Sequence, residues 1–242
     1  MRRLPKRPEL SAEAESRLEQ ATAEIIRSAD QKSSADRLYQ NARSRKWFKN
    51  SVEKSLRTMS GPGARCMYCS GSEASQVEHF VPKSIVPQYA MTWENFLWAY
   101  GICNNFKGNR FPPFTEAGEE IIDPTAEDVW KFFFIDEYGN LTARWRQDLN
   151  DLDPRAVNTI KILKLDRDAL QQTRQQRLGD LKSRIEDGLK LLESGRITAI
   201  ELRNRRDNWL TSAFQPDLAD YFLAGPGRKE PPFADFLKLV RR

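Results

Sequence analysis

Apolar residues recur every three or four positions along most of the chain, and only in its middle do they alternate or run together. Between Ser11 and Ser28 the stripe is Leu18, Ala21, Ile25 and Ile26, which predicts an amphipathic helix. Ser11 stands at the N-cap position, with Glu13 and Glu15 where the helix dipole favours acids. A second helical stretch is expected from Ser34 to Thr58, with Leu38, Ala42, Val52 and Leu56 on one face. Arg45 and Lys49 fall on that same face, so a break is expected near Arg45, with Trp47 and Phe48 opening a new packing surface. Gly61-Pro62-Gly63 then stops the helix. Later, Asp153 caps and Pro154 starts a helix carrying Val157, Ile160, Leu163 and Leu165. A longer one begins at Asp166 or Asp168 and carries Leu170, Leu178, Leu181, Ile185, Leu189 and Leu192 until Gly195 ends it. Another spans Thr198 to Phe214.

Between these helices the period changes. A short β-prone run leads into Glu78-His79, and W-E-N-F-L-W-A, containing Asn95, reads as a second strand. Cys103 to Lys107 reads as the start of a helix. Phe111 to Phe114 leaves as a loop, and Glu116 to Glu120 forms a turn or short helix. Ile121 to Pro124 reads as a strand ending in an Asp-Pro turn, followed by a helical turn over Ala126 to Trp130. Phe132–Ile135 and Leu141–Trp145 suggest a hairpin about Gly139-Asn140. The fold class expected is α+β, mainly α, with a small ββα core between N-terminal and C-terminal helices and a short hairpin. The expected segments are 1–60 (helical), 61–115 (ββα core), 116–153 (acidic linker and hairpin) and 154–242 (helical), with 61–242 packed as one unit.

Composition adds charge to this pattern. The net charge of the 242 residues is only +5, yet residues 1–60 carry +6, residues 116–153 carry −8 and residues 154–242 carry +6. Such a distribution suits a protein that presents a basic face to a polyanion, and it equally suits solvated Arg-rich helix faces. Arg43, Arg45, Lys46 and Lys49 stand in the same two-sided position, as phosphate contacts or plain surface. Mean hydropathy is −0.68, and no apolar run approaches the ~18 residues of a membrane span. The basic start M-R-R-L-P-K-R-P has no apolar segment behind it, so no secretory signal is expected. Three cysteines, two of them in the C-x-x-C of Cys66 and Cys69, fit a reduced cytoplasm and a metal knuckle better than a disulfide framework.

The chemistry gathers in one stretch, Cys66 to Asn109, which holds every cysteine and the single histidine, His79. Hydrolysis of a phosphodiester needs a base, a divalent cation and a group that aims the base. With an ordinary pKa of about 6.5, His79 can serve as that base. Adjacent Glu78 and His79 point to opposite faces of a strand unless the strand ends or bulges at them. Asn95 can accept from the His79 ring, or simply start a strand. Asn104 can offer its carbonyl oxygen to Mg²⁺, with Asn105 as competitor or N-cap. Lys107 and, less directly, Lys83 can reach for a phosphate, or stay as surface lysines.

The order C-x-x-C, E-H, N, C-N-x-x-K resembles the HNH endonucleases, the ββα-metal or His-Me finger nucleases. That resemblance implies a small ββα-metal (HNH) core, with His79 as general base, Asn95 orienting it, and Glu78 and Asn104 holding a catalytic Mg²⁺ or Mn²⁺. More narrowly, V-E-H-F-V-P-K-S, W-E-N, C-N-N-F-K-G-N-R-F-P, I-I-D-P and N-T-I-K-I-L-K-L-D-R resemble the PtuB-type HNH subunits of Septu anti-phage systems and their retron-associated relatives. The branch implies DNA as substrate, an ABC-type ATPase as partner and a role in phage defence. Many HNH proteins hold a four-cysteine structural zinc. Here Tyr100 and Cys103 stand where the second pair would be, so only Cys66, Cys69 and Cys103 remain. Either those thiols are apolar and buried without zinc, or a carboxylate completes a weaker site. Two other readings share these residues: a catalytically degraded HNH-fold DNA-binding or scaffolding subunit, and a nuclease of repair or recombination.

Overall fold

The computed structural model describes residues 1–72, 74–111, 121–211, 216–223, 225–229, 233, 234 and 238. Its architecture is α+β, mainly α, with strands only in antiparallel pairs among the described residues. The chain divides into two compact units, Leu4–Glu127 and Asp128–Arg242 with Met1–Arg3.

In the first unit, helix α1 (Ala12–Arg27) starts at Ser11, whose hydroxyl accepts from the Ala14 N–H across 3.3 Å. Ala14, Leu18 and Ile25 are buried, whereas Ile26 is 54% exposed. Helix α2 (Gln31–Arg43) is capped by Asp30 and buries Ala35, Tyr39 and Ala42. Its core stripe therefore runs through Tyr39 and not, as expected, through Leu38. The expected break falls at Ser44–Arg45. Beyond it the chain forms a π-helix, Phe48–Glu53, that runs into α3 (Lys54–Met59). This wider helix allows Phe48, Val52 and Leu56 all to be buried. Gly61 and Gly63 then take positive φ and turn the chain.

Strand β1 (Ala74–His79) pairs antiparallel with β2 (Phe96–Tyr100), placing Glu78 opposite Leu97 and His79 opposite Phe96. The pairing is irregular between Ala74 and Gln76. Helix α4 (Gly101–Lys107) follows β2 without a linker. Gly108 ends it at φ 50°, ψ −131°, a conformation that side-chain-bearing residues avoid. Asn95 lies outside the strand that was expected to contain it, at the end of a 3₁₀ turn over Trp93–Asn95. Ile121 and Ile122 are buried, and neither lies in a strand. The reason is local: Asp123 Oδ1 accepts from both the N–H and the hydroxyl of Thr125, each at 2.7 Å, and this turns the chain. The guanidinium of Arg7 donates to the carbonyls of Trp93, Glu94 and Phe96 at 3.1, 2.8 and 2.9 Å, so this part of the basic N-terminal arm ties down the entry to β2.

In the second unit, β3 (Phe133–Ile135) and β4 (Leu141–Ala143) form the expected hairpin. Gly139 turns it at φ 81°, where an added Cβ would sit 2.5 Å from the Gln175 nitrogen. Trp145 is not part of that hairpin. It belongs to a two-residue strand, β5 (Trp145–Arg146), paired with β6 (Asp151–Leu152). Helix α5 (Pro154–Leu163) is capped by Asp153 as expected, but it buries Ala156, Thr159 and Leu163 while Val157 is 39% exposed. Helix α6 (Asp168–Glu193) buries Leu170, Leu178, Leu181 and Ile185, and with them Arg174, which is paired to Asp217 at 3.2 Å. Helix α7 (Ala199–Thr211) opens with a reciprocal cap between Thr198 and Glu201. Helix α8 (Pro216–Leu223) follows. The expected loop through Pro112–Phe114, the turn or helix over Glu116–Glu120 and the end of α7 at Phe214 lie outside the described residues.

Candidate active site

Strand β1 ends on His79, and that ending lets two adjacent residues serve one cleft. Glu78 and His79 both line a cavity of about 550 Å³, together with Arg43, Lys83 and Asn104. The imidazole is boxed edge-on by Tyr39 from α2, 4.5 Å between centroids, and by Phe96 from β2 at 5.3 Å. Its Nε2 lies 3.0 Å from the carbonyl oxygen of Ala90. A carbonyl oxygen only accepts, so Nε2 carries the proton and Nδ1 keeps the lone pair. Burial holds the ring in its neutral form, lowering its pKa to about 4; the Ala90 hydrogen bond acts in the opposite direction, while Lys83 and Lys107 lower it further. The ring is thus fixed as an uncharged imidazole with one basic nitrogen.

Asn95 does not contact that ring. Its Oδ1 accepts from the Val81 N–H at 2.7 Å, and its Nδ2 donates to the carbonyls of Val81 and Tyr89, each at 2.9 Å. An amide with both ends committed to backbone pins the loop that follows His79, and the ring finds its acceptor in Ala90 instead. The expected side-chain orienter is replaced by a main-chain carbonyl.

Glu78 is 3% exposed. Its Oε2 accepts from the Tyr68 hydroxyl and its Oε1 from the Lys107 ammonium, both at 2.7 Å. Burial pushes the Glu78 carboxyl upward in pKa, against the downward pull of Lys107 and then Tyr68. Lys107 has no exposed surface, and it also donates to the carbonyl oxygen of His79 at 2.8 Å. It therefore does not reach for a phosphate as its place after Asn104 suggested. It points inward from α4 and ties that helix to the end of β1. Lys83 does line the cleft, paired with Asp36 of α2.

Asn104 lines the cleft and exposed Asn105 does not. The Asn104 amide donates through Nδ2 to Gln76 Oε1 at 2.8 Å, which leaves Oδ1 as a free acceptor. The Asn104 amide oxygen is a donor type that a hard divalent cation takes; the Glu78 carboxylate is another, with its two oxygens engaged by Tyr68 and Lys107. Among the sequence-chosen residues, Glu78, His79, Asn104 and Lys83 thus share the cleft, while Asn95 and Lys107 act on the backbone beside it.

The cysteines form a second group. The sulfurs of Cys66, Cys69 and Cys103 lie within 4.8 Å of one another and are buried. Three thiolates around one zinc at about 2.3 Å stand about 3.8 Å apart, so a small contraction would close them on an ion. The Gly71 N–H already donates to Cys69 Sγ at 3.4 Å. Among the described residues no carboxylate or histidine completes the group. Burial pushes the Cys66 thiol up to about 12, and the other two cysteines push Cys103 up as well, so these two thiols are protonated without metal.

Sequence reasoning missed Tyr39, Tyr68, Gln76 and the Ala90 carbonyl. Tyr39 had a signal, since its spacing from Ala35 and Ala42 is helical. Tyr68, inside the C-x-x-C, and Gln76, two residues before Glu78, had only proximity. Ala90 had none, because its contribution is backbone.

No family model matches the chain. Over 124 residues it is 29% identical to Septu protein PtuB of Bacillus thuringiensis, a match covering 49% of this chain and 42% of that protein. The chain therefore aligns with less than half the length of this relative, and what it shares with it is a similarity of sequence over about half of itself.

Proposed function

We propose that the protein is a metal-dependent endonuclease that hydrolyses phosphodiester bonds of DNA, with His79 as general base. The observation that carries this reading is the bare Nδ1 of a neutral imidazole on the same cleft as Glu78 and Asn104. Nδ1 takes a proton from water, and the oxygen so released attacks phosphorus in line with the departing 3′ oxygen. Glu78 and Asn104 would hold a divalent cation, which would supply charge stabilisation at the phosphate. Lys107 and Tyr68 position the Glu78 carboxylate, Ala90 fixes the imidazole, and Lys83 and Arg43 supply positive charge for the flanking backbone. The similarity to Septu protein PtuB supports a role in anti-phage defence, and the resemblance of this chain's motifs to Septu HNH subunits adds an ATPase as partner. Plasmid cleavage in Mg²⁺ or Mn²⁺ tests the activity. Cleavage that disappears with EDTA and with His79→Ala is expected. Cleavage by a pure His79→Ala protein equal to wild type would falsify the mechanism.

A further inference from the structure

A second cleft, of about 610 Å³, opens in the unit that holds His79. Arg17, Arg45, Lys46, Trp47, Asn50 and Ser51 line it. One carboxylate also faces it: Glu13 is paired to Arg17 at 3.0 Å, so three cations meet a single anion there. Arg45 and Lys46 are exposed, and among the described residues their side chains make no ion pair or hydrogen bond. Like charges held together without partners repel each other, and a bound polyanion relieves that repulsion.

The cleft also has an aromatic wall. The Arg17 guanidinium lies over the Trp47 ring, 5.7 Å from its centroid. Phe48 packs edge to face against the same indole, 5.5 Å between ring centroids. A partly exposed aromatic ring beside cationic side chains is how proteins hold an unpaired base, stacked on the ring while cations track the phosphates. Asn50 and Ser51 come from the π-helix, a local widening that frequently marks functional sites, and they add hydrogen-bonding groups suited to sugar and phosphate.

Chain continuity links this cleft to the catalytic one. Arg43 lines the His79 cleft, whereas Arg45 and Lys46 line this one. Residues two apart are separated by at most about 7 Å of backbone. Arg43 and Arg45 are therefore close enough along the backbone for one strand to span them.

We propose that the Trp47 cleft binds an unpaired stretch of the DNA strand flanking the scissile phosphate, with Arg45 and Lys46 on its phosphodiesters and Trp47 stacked on a base. This rests on reading the His79 cleft as a nuclease site, and the test separates the two. Binding of a fluorescent 20-nucleotide single strand, about one strand's worth of contacts, and of its duplex is measured by anisotropy in EDTA, without cleavage. Arg45→Glu with Lys46→Glu is expected to weaken single-strand binding about tenfold or more and to flatten the salt dependence by roughly 1.4 in slope. Trp47→Leu is expected to weaken the single strand about tenfold and leave the duplex unchanged. Hydrolysis of bis(p-nitrophenyl) phosphate, which is too small to span both clefts, stays at the wild-type rate in the charge-reversed variant. A folded charge-reversed variant with wild-type single-strand affinity and salt slope overturns the proposal, as does equal loss of single-strand and duplex binding in Trp47→Leu. A wild-type protein that binds as described but cleaves nothing with any divalent cation overturns the nuclease reading and leaves the cleft's assignment standing.

Discussion

The ammonium of Lys107 and the carboxylate of Glu78 meet at 2.7 Å with both side chains out of solvent. The same ammonium holds the carbonyl of His79 at 2.8 Å. One lysine thus joins helix α4 to the last two residues of β1, and its removal leaves an uncompensated buried charge. Lys107→Met is expected to cost about 3–5 kcal/mol in urea unfolding. Adding Glu78→Gln should restore much of that loss, because no lone carboxylate then remains. A Lys107→Met protein as stable as wild type would show that the pair is not a structural element.

His79→Ala removes the proposed base while leaving Tyr39 and Phe96 to close on a smaller side chain. Cleavage is expected to fall about 10²–10⁴-fold, with the far-ultraviolet circular dichroism unchanged. His79→Asn is a second variant that keeps a polar group near Ala90, and it should be equally inactive because it has no basic nitrogen.

The pH dependence of stability follows from the depressed pKa of the same ring. His79 titrates at about 4 in the folded protein and near 6.5 when unfolded. Between those values the unfolded chain binds more protons. Its contribution to stability is therefore complete above pH 6.5 and disappears as the pH falls toward 4, amounting to up to about 3 kcal/mol. Measured in chelator, the stability of wild type relative to His79→Asn should fall across this window. A flat difference would place the imidazole in contact with water.

Asn95 pins the loop after His79 through three backbone hydrogen bonds. Asn95→Ala leaves these buried groups unpaired and should lower stability by about 1–3 kcal/mol. Cleavage should fall with it, while the acidic limb of the pH–rate profile keeps its position. A displaced limb would point to direct contact with the imidazole.

Metal at the cysteines must displace protons from thiols whose pKa is raised. Zinc or cobalt affinity should therefore rise with pH and release protons in a calorimetric titration. Cys103→Ala should abolish the binding. Retained affinity in that variant would move the metal elsewhere.

Legibility tracked whether a function was carried by a side chain or by the path of the backbone. The Ser11 and Asp153 caps, the break at Arg45 and the turn at Gly139 were readable because each uses a side chain, or the lack of one, at a fixed offset. Glu78, His79 and Asn104, singled out in the sequence for the chemistry of their side chains, line one cleft. Their meeting on one cleft depends on where β1 ends, which no local rule supplied. Lys107 was misread because helical spacing gives the face of a residue and not whether that face is outward. Tyr39 was passed over for Leu38 by a shift of one position, the usual error when a stripe is short.

The Ala90 carbonyl that fixes the imidazole belongs to no side chain. Replacing residues one at a time by alanine would pass over it entirely, since position 90 is alanine already. What sets that oxygen is the course of the 3₁₀ turn over Pro87–Met91, so the orientation of the imidazole is exposed to insertions and deletions in that turn, and to larger residues at a position with no exposed surface.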